Sequence, residues 1–350
     1  MLHKIRSKKI LNDIFINLKK RTKLKILKYN KNMQYKLNIS IKDFEDFKLL
    51  NIINRKYNLN TTNIDFEIIN LEFKELGNNI SEIFEYLKKI KFNEIKEINL
   101  ESTETTNLNF LIINKFDKLE KLNFFGNKIR NINLLEKVNF RELKELDLSF
   151  NEISDIRVLE NVKFEKLEKL FLGGNSISNI NVLEKVNFKE LKYLSLSHNG
   201  ISSIKVLEKV KFEKLDFLNL GNNLISNIDV LEKVNFKELI FLFLNDNRIS
   251  DISILEKVNF KKLNTLDLSR NKISNIEILE KSNFENLEVL NLKFNKISDI
   301  IVFENVNFNK LQVLSLSGNQ IKDKLDIKLL KKRKFKNLKA LHMGYNKIKK

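Results

Sequence analysis

Apolar residues along 95–350 recur in two alternating rhythms. In LKELDLSFN (143–151) the leucines Leu146 and Leu148 alternate with polar neighbours, a period of two that predicts a short strand with the leucines on one side. After Asn151 the spacing becomes three, at Ile153, Ile156, Leu159 and Val162 before Phe164. Spacing of three suits a 3₁₀ turn or a short tight helix on the outer side of the molecule. Strand, sharp turn and outer segment together make one unit, and then the pattern begins again.

The repetition is strict. Asn127, Asn151, Asn175, Asn199, Asn223, Asn247, Asn271, Asn295 and Asn319 follow one another at a constant period of 24, each with an Ile two residues later. Each follows LxxLxL, with Phe124 replacing the last leucine once. The chain must turn sharply at each Asn. A buried amide there satisfies backbone groups that the turn leaves open, at roughly 1–3 kcal/mol for each group otherwise unpaired. So short a unit cannot cover its own apolar face, and neighbours are expected to stack into one continuous core.

LxxLxLxxNxIxxI resembles the leucine-rich repeat pattern over residues 95–350, and the short outer segment ISDIxVLEKVNF is most similar to the internalin-type and phosphatase-regulatory class. That class has 22-residue units, from which the period of 24 departs. The resemblance implies a right-handed solenoid of about ten to eleven units, with a parallel concave sheet and a short 3₁₀ convex side. For function it implies a protein-binding scaffold and no particular partner.

The ends differ from the middle. IKEINLEST (95–103) has the strand pattern with Thr103 in place of Asn, and IINLEF (68–73) is a weaker strand ahead of it, within a transition or capping segment at 61–94. LKALHMGYN (338–346) comes three residues later than the period requires, and no capping segment follows it. An apolar edge is therefore expected there, covered by a partner, guarded by its lysines, or left by truncation of a longer product.

Residues 7–57 show helical spacing, at Ile10, Leu11, Ile14, Phe15 and Leu18 and again at Leu24, Ile26 and Leu27. Ser40 is a candidate N-cap for a further helix. A basic α-helical N-terminal cap over 1–60 is the first expectation. The second is that residues 10–37 resemble an F-box, through the order IL..IF..L, a basic link and L.IL.YNK, without the Leu-Pro opening or the later Trp. That resemblance implies recruitment of a ubiquitin-ligase scaffold.

Composition adds less. Of the 350 residues 42% are hydrophobic and 31% charged, and no run of about 18 apolar residues suggests a membrane span. The absence of cysteine removes disulfides and thiolate metal sites and is in keeping with a cytoplasmic or nuclear setting. The net charge of +19 partly follows from a Lys, Asn, Ile and Phe bias that an AT-rich genome produces. It is uneven: residues 1–60 hold 16 Lys+Arg against 4 Asp+Glu, and residues 322–350 hold 12 against 2. The segment between is nearly balanced, so any nucleic-acid or anionic-membrane role would sit at the ends. His3, His198 and His342 are scattered, and no phosphate loop, nucleophile elbow or metal-ligand cluster is present in the sequence. No catalytic residue, cofactor or metal is expected, and the chain reads as a non-enzyme.

Specificity in such an array belongs to the residues between the leucines. Six before each Asn stand Lys121, Glu145, Lys169, Tyr193, Phe217, Phe241, Thr265, Val289, Val313 and Ala340. Three aromatics fall on adjacent strands, with Phe171 diagonal to Tyr193 and Phe243 on the strand of Phe241. At roughly 150–250 Å² each, five aromatics make a patch of the size that marks an interaction site. Cross-strand stacking that only stabilises the sheet is the alternative. Asp147, Asp246, Asp267, Arg270 and Lys293 are candidate polar rim residues.

Overall fold

The computed structural model describes residues 70–72, 95–113, 116–322 and 335–348. The expected helical cap over 1–60 and the F-box-like stretch 10–37 lie outside them, as does most of the segment 61–94.

Among the described residues twelve strands form a single sheet in sequence order, every neighbour parallel. They are β1 (Asn70–Glu72), β2 (Glu97–Asn99), β3 (Lys121–Asn123), β4 (Glu145–Asp147), β5 (Lys169–Phe171) and β6 (Tyr193–Ser195). Then follow β7 (Phe217–Asn219), β8 (Phe241–Phe243), β9 (Thr265–Asp267), β10 (Val289–Asn291), β11 (Val313–Ser315) and β12 (Ala340–His342). The weak strand expected at IINLEF is β1, its Leu71 opposite Ile98, so the sheet begins ahead of residue 95. From β2 to β11 the register advances by one full period at every step, as from Ile98 to Leu122 and from Leu290 to Leu314, with no stagger. The longer step at the end is absorbed outside the sheet, because Leu314 still faces Leu341.

From β2 to β11 the middle residue of each strand points into the core. Leu146, Leu170, Leu194, Leu218, Leu242 and Leu266 are fully buried, as is the isoleucine two residues after each ladder Asn. On the convex side 3₁₀ segments such as Arg157–Glu160 and Asp229–Glu232 cover this core, as the three-residue spacing predicts. Each starts from a side chain that accepts the backbone N–H two residues later: Asp155 for Arg157, Asn227 for Asp229 and Asp251 for Ser253. These local bonds explain why Asn or Asp recurs between the two isoleucines of the repeat. Phe140, Phe164, Phe188, Phe212, Phe236, Phe260, Phe284 and Phe308 form a second buried file behind them.

The asparagines join repeats, a wider role than closing their own turns. Asn151 Nδ2 donates to Leu148 O at 3.1 Å in its own unit and to Phe124 O at 2.9 Å in the preceding one. Its Oδ1 accepts the Ile129 N–H at 2.9 Å, again from the preceding unit. The same three bonds recur at Asn223, Asn247 and Asn271. At the degenerate first rung the Thr103 hydroxyl donates to Leu100 O at 2.9 Å, which reproduces the bond within the unit. Asn346 keeps the pattern at the other end, bonded to Leu316 O and Met343 O.

The turn itself is less evident from sequence. The residue before every rung has a left-handed backbone: Gly126, Gly174 and Gly318, but also Phe150, His198, Asn222, Asp246, Arg270, Phe294 and Tyr345. For a side chain other than Gly or Asn this conformation costs about 1–2 kcal/mol. The repetition of the turn shows that the surrounding ladder supplies enough to impose it.

Candidate functional site

From β2 to β12 the first and third residues of each strand lie on the other side from the middle one, and together they make the concave surface. The third position is mostly occupied by a side chain with a local task. Asn99, Asn123, Asp147, Asn219, Asp267 and Asn291 each accept, through Oδ1, the backbone N–H two residues ahead, at 2.8–3.2 Å. Such Asx turns tie the strand end to the left-handed turn. Phe171 and Phe243 stand where an Asx residue would serve the N–H of Gly173 or Asn245. At these two strands the local bond is given up and an aromatic surface takes its place.

The five aromatics expected to form a patch are brought together. Tyr193 and Phe217 stack at 4.0 Å between ring centroids with an interplanar angle of 11°. Phe171 lies 4.6 Å from Tyr193, and Phe217 touches both Phe241, at 5.8 Å, and Phe243, at 5.2 Å. Phe217 is therefore the hub. Phe241 is exposed and the other four are half-buried, so the row keeps an open apolar surface although its rings cover one another.

Charge on this face is divided. On β2–β5 Lys121 pairs with Glu97 at 3.9 Å and Lys169 with Glu145 at 3.1 Å. Asp147 on β4 and Asp267 on β9 have no cationic partner among the described residues. Their Oδ1 atoms take the N–H of Ser149 and Ser269, and Asp267 Oδ2 accepts from Asn291 Nδ2 at 2.9 Å. Burial pushes the Asp147 carboxyl above the usual carboxylate range, against the hydrogen bonds from Ser149, which pull it down. Burial, with the Asp147 charge adding to it, also raises the Tyr193 hydroxyl.

Of the remaining rim residues, Asp246 and Arg270 are engaged with one another, and Lys293 is half-buried beyond β10. Arg270 lies 3.8 Å from Asp246 and its guanidinium sits 4.5 Å from the centre of the Phe294 ring. Phe150 reaches across the edge to Gly174, where an added Cβ would come within 2.8 Å of its ring. Phe125, at 5.0 Å, and His198, at 6.4 Å, complete a small aromatic edge around Phe150, which is itself exposed. Sequence reasoning missed the strand-end Asx bonds, although Asn or Asp at every such position except those taken by Phe, Ser or His was a readable signal.

Among the described residues no three side chains of His, Asp or Glu gather as metal ligands would, and no helix is long and apolar enough to cross a membrane.

A family model described as leucine rich repeats in two copies matches residues 141–185, 189–233 and 237–281. A leucine rich repeat model matches 285–303 and 309–324. No curated protein matches the sequence. Among solved structures, an internalin of Listeria monocytogenes, InlF, is 22% identical, with a TM-score of 0.64 over 87% of this chain and 90% of that one. A Leptospira interrogans leucine-rich repeat protein is 22% identical, with a TM-score of 0.58 over 81% of this chain and 73% of that one. A plant peptide hormone receptor, RGFR1, solved in complex with RGF2, is 19% identical, with a TM-score of 0.53 over 80% of this chain and 48% of that one. These likenesses concern the fold.

Proposed function

We propose that this chain, a leucine-rich repeat protein, is a non-enzymatic scaffold that holds a partner protein on its concave face at Phe171, Tyr193, Phe217, Phe241 and Phe243. Leucine-rich repeat folds commonly mediate protein–protein interaction, and a polypeptide partner is in keeping with the peptide hormone receptor of similar fold. The observation that carries the reading is the exchange at Phe171 and Phe243. There an aromatic ring displaces the strand-end hydrogen bond that Asn or Asp makes on β2, β3, β4, β7, β9 and β10. Phe171 and Phe243 put apolar surface where the other strands from β2 to β12 carry Asn, Asp, Ser or His. Aromatic anchors at the centre of an apolar patch are the groups that dominate binding energy.

The test compares capture of partners by wild type and by the triple variant Tyr193→Ala/Phe217→Ala/Phe241→Ala, with circular dichroism to establish that the array stays folded. Losses of about 1–2 kcal/mol per anchor predict at least about 100-fold weaker binding. Equal recovery of every partner by a folded triple variant would refute the reading.

A further inference from the structure

The aromatic row is bracketed. Asp147 on β4 and Asp267 on β9 occupy the same position of their strands, and Phe171, Tyr193, Phe217, Phe241 and Phe243 lie on the four strands between them. From β2 to β12 the outward residues carry the charges Glu97, Lys121, Glu145, Asp147, Lys169 and Asp267. The two lysines are matched with the two glutamates, which leaves the two aspartates unmatched among the described residues. In a chain of net charge +19, the strand charges left unmatched on either side of the aromatic row are thus the two carboxylates.

We infer that the concave face takes an extended polypeptide segment with an apolar centre and a Lys or Arg near each end, the cations meeting Asp147 and Asp267. The inference rests on the proposed use of this face and goes on to specify the occupant's chemistry. Five inter-strand steps of about 4.8 Å separate the two aspartates, about 24 Å, which an extended chain spans with about seven residues. Running across the strands, such a segment lays apolar side chains on Tyr193, Phe217 and Phe241 while its ends reach the carboxylates. One oxygen of each aspartate is held by the N–H two residues on, so the carboxylates are positioned before any ligand arrives.

Three labelled synthetic peptides of about nine residues, with one shared apolar centre flanked at either end by two Arg, two Gln or two Glu, provide the probe. Their binding to the full chain is measured by fluorescence anisotropy, against wild type, Phe217→Ala and the double variant Asp147→Asn/Asp267→Asn. Asn makes the same strand-end bond at Asn219 and Asn291, so the double variant keeps the turns. The Arg peptide is expected to bind about ten-fold tighter than the Gln peptide and more so than the Glu peptide, with the preference lost in the double variant. The net positive charge of the protein favours the opposite order, so non-specific attraction cannot mimic this result. Equal binding of all three peptides, weakened together by Phe217→Ala, overturns the charge assignment and leaves the concave reading standing. Binding that ignores Phe217→Ala, or no binding at millimolar peptide, overturns both.

Discussion

Strands β2–β5 and strands β6–β8 share one backbone, one register and one asparagine ladder, yet they meet solvent in opposite ways. On β2–β5, apart from the Phe171 ring and the Asp147 charge, the outward side chains satisfy each other, with lysine against glutamate and Asn or Asp against the backbone N–H two residues on. On β6–β8 aromatic rings stack but leave apolar surface uncovered. A self-satisfied surface gains little from a partner, because each polar group must first be unpaired or dehydrated. An apolar one gains by losing its water. The contrast locates the free energy available for association in the middle of the array.

The largest effect should come from what the two regions share. Asn151→Ala, under the charged strands, and Asn223→Ala, under the aromatic ones, each leave one buried N–H, of Ile129 or Ile201, without its acceptor and halve the amide donation to two carbonyls that the neighbouring rungs share. Each should lower stability by about 3–5 kcal/mol in urea unfolding, with the two values within about 1 kcal/mol of each other. A clear inequality would mean that the regions differ in their frame as well as in their surface.

Next in size is Gly174→Ala. Its φ of +65° is unfavourable for alanine and the new Cβ would meet the Phe150 ring. A loss of about 1–3 kcal/mol is expected by thermal unfolding, whereas Phe150→Gly, which relieves a left-handed phenylalanine but removes its packing, should change stability by less than about 1 kcal/mol.

Smaller again is the surface itself. Lys169→Ala should cost at most about 1 kcal/mol, since the Glu145 pair is exposed. Phe217→Ala should cost about 1–2 kcal/mol through its three ring contacts. Double-mutant cycles across both pairs would sharpen the distinction.

The smallest effect depends on pH. Burial raises the folded-state pKa of Asp147 above its unfolded value, so the folded protein binds the extra proton more readily. Stability then falls as pH rises from the unfolded pKa through the folded one, and the penalty is complete above it. Asp147→Asn, which retains the turn, should stabilise the protein slightly at pH 7 and lose that gain in acid below the usual carboxylate range. A gain that persists there would point to a cause other than charge burial.

How much of this was readable in the sequence follows from the type of signal. Leu242, Leu244 and Asn247 recur at fixed spacing in every unit, and repetition reveals the strand, the rung and the 3₁₀ segment. The weaker β1 and Thr103 were readable by alignment to their neighbours. Adjacency on the sheet follows once the register is known, so Tyr193, Phe217 and Phe241 could be set in a row. Three things were not readable: that each asparagine reaches into the preceding repeat, that Phe150 and Phe294 adopt a left-handed backbone, and that Asp147 and Asp267 lack cations. The first two are imposed by packing against neighbouring units. The third depends on which lysine meets which glutamate, and side-chain geometry decides that.

The unstaggered register from β2 to β11 has one more consequence. Position along the chain is converted into position across the sheet at a constant rate, so the array works as a ruler with one mark per repeat. Excising one whole period between Asp147 and Asp267 would leave every rung with an equivalent partner and bring the two marks closer by about 4.8 Å. Inserting one would move them apart by the same amount. The length of segment this face prefers is therefore a countable property of the chain, adjustable by whole repeats without redesign of any single contact.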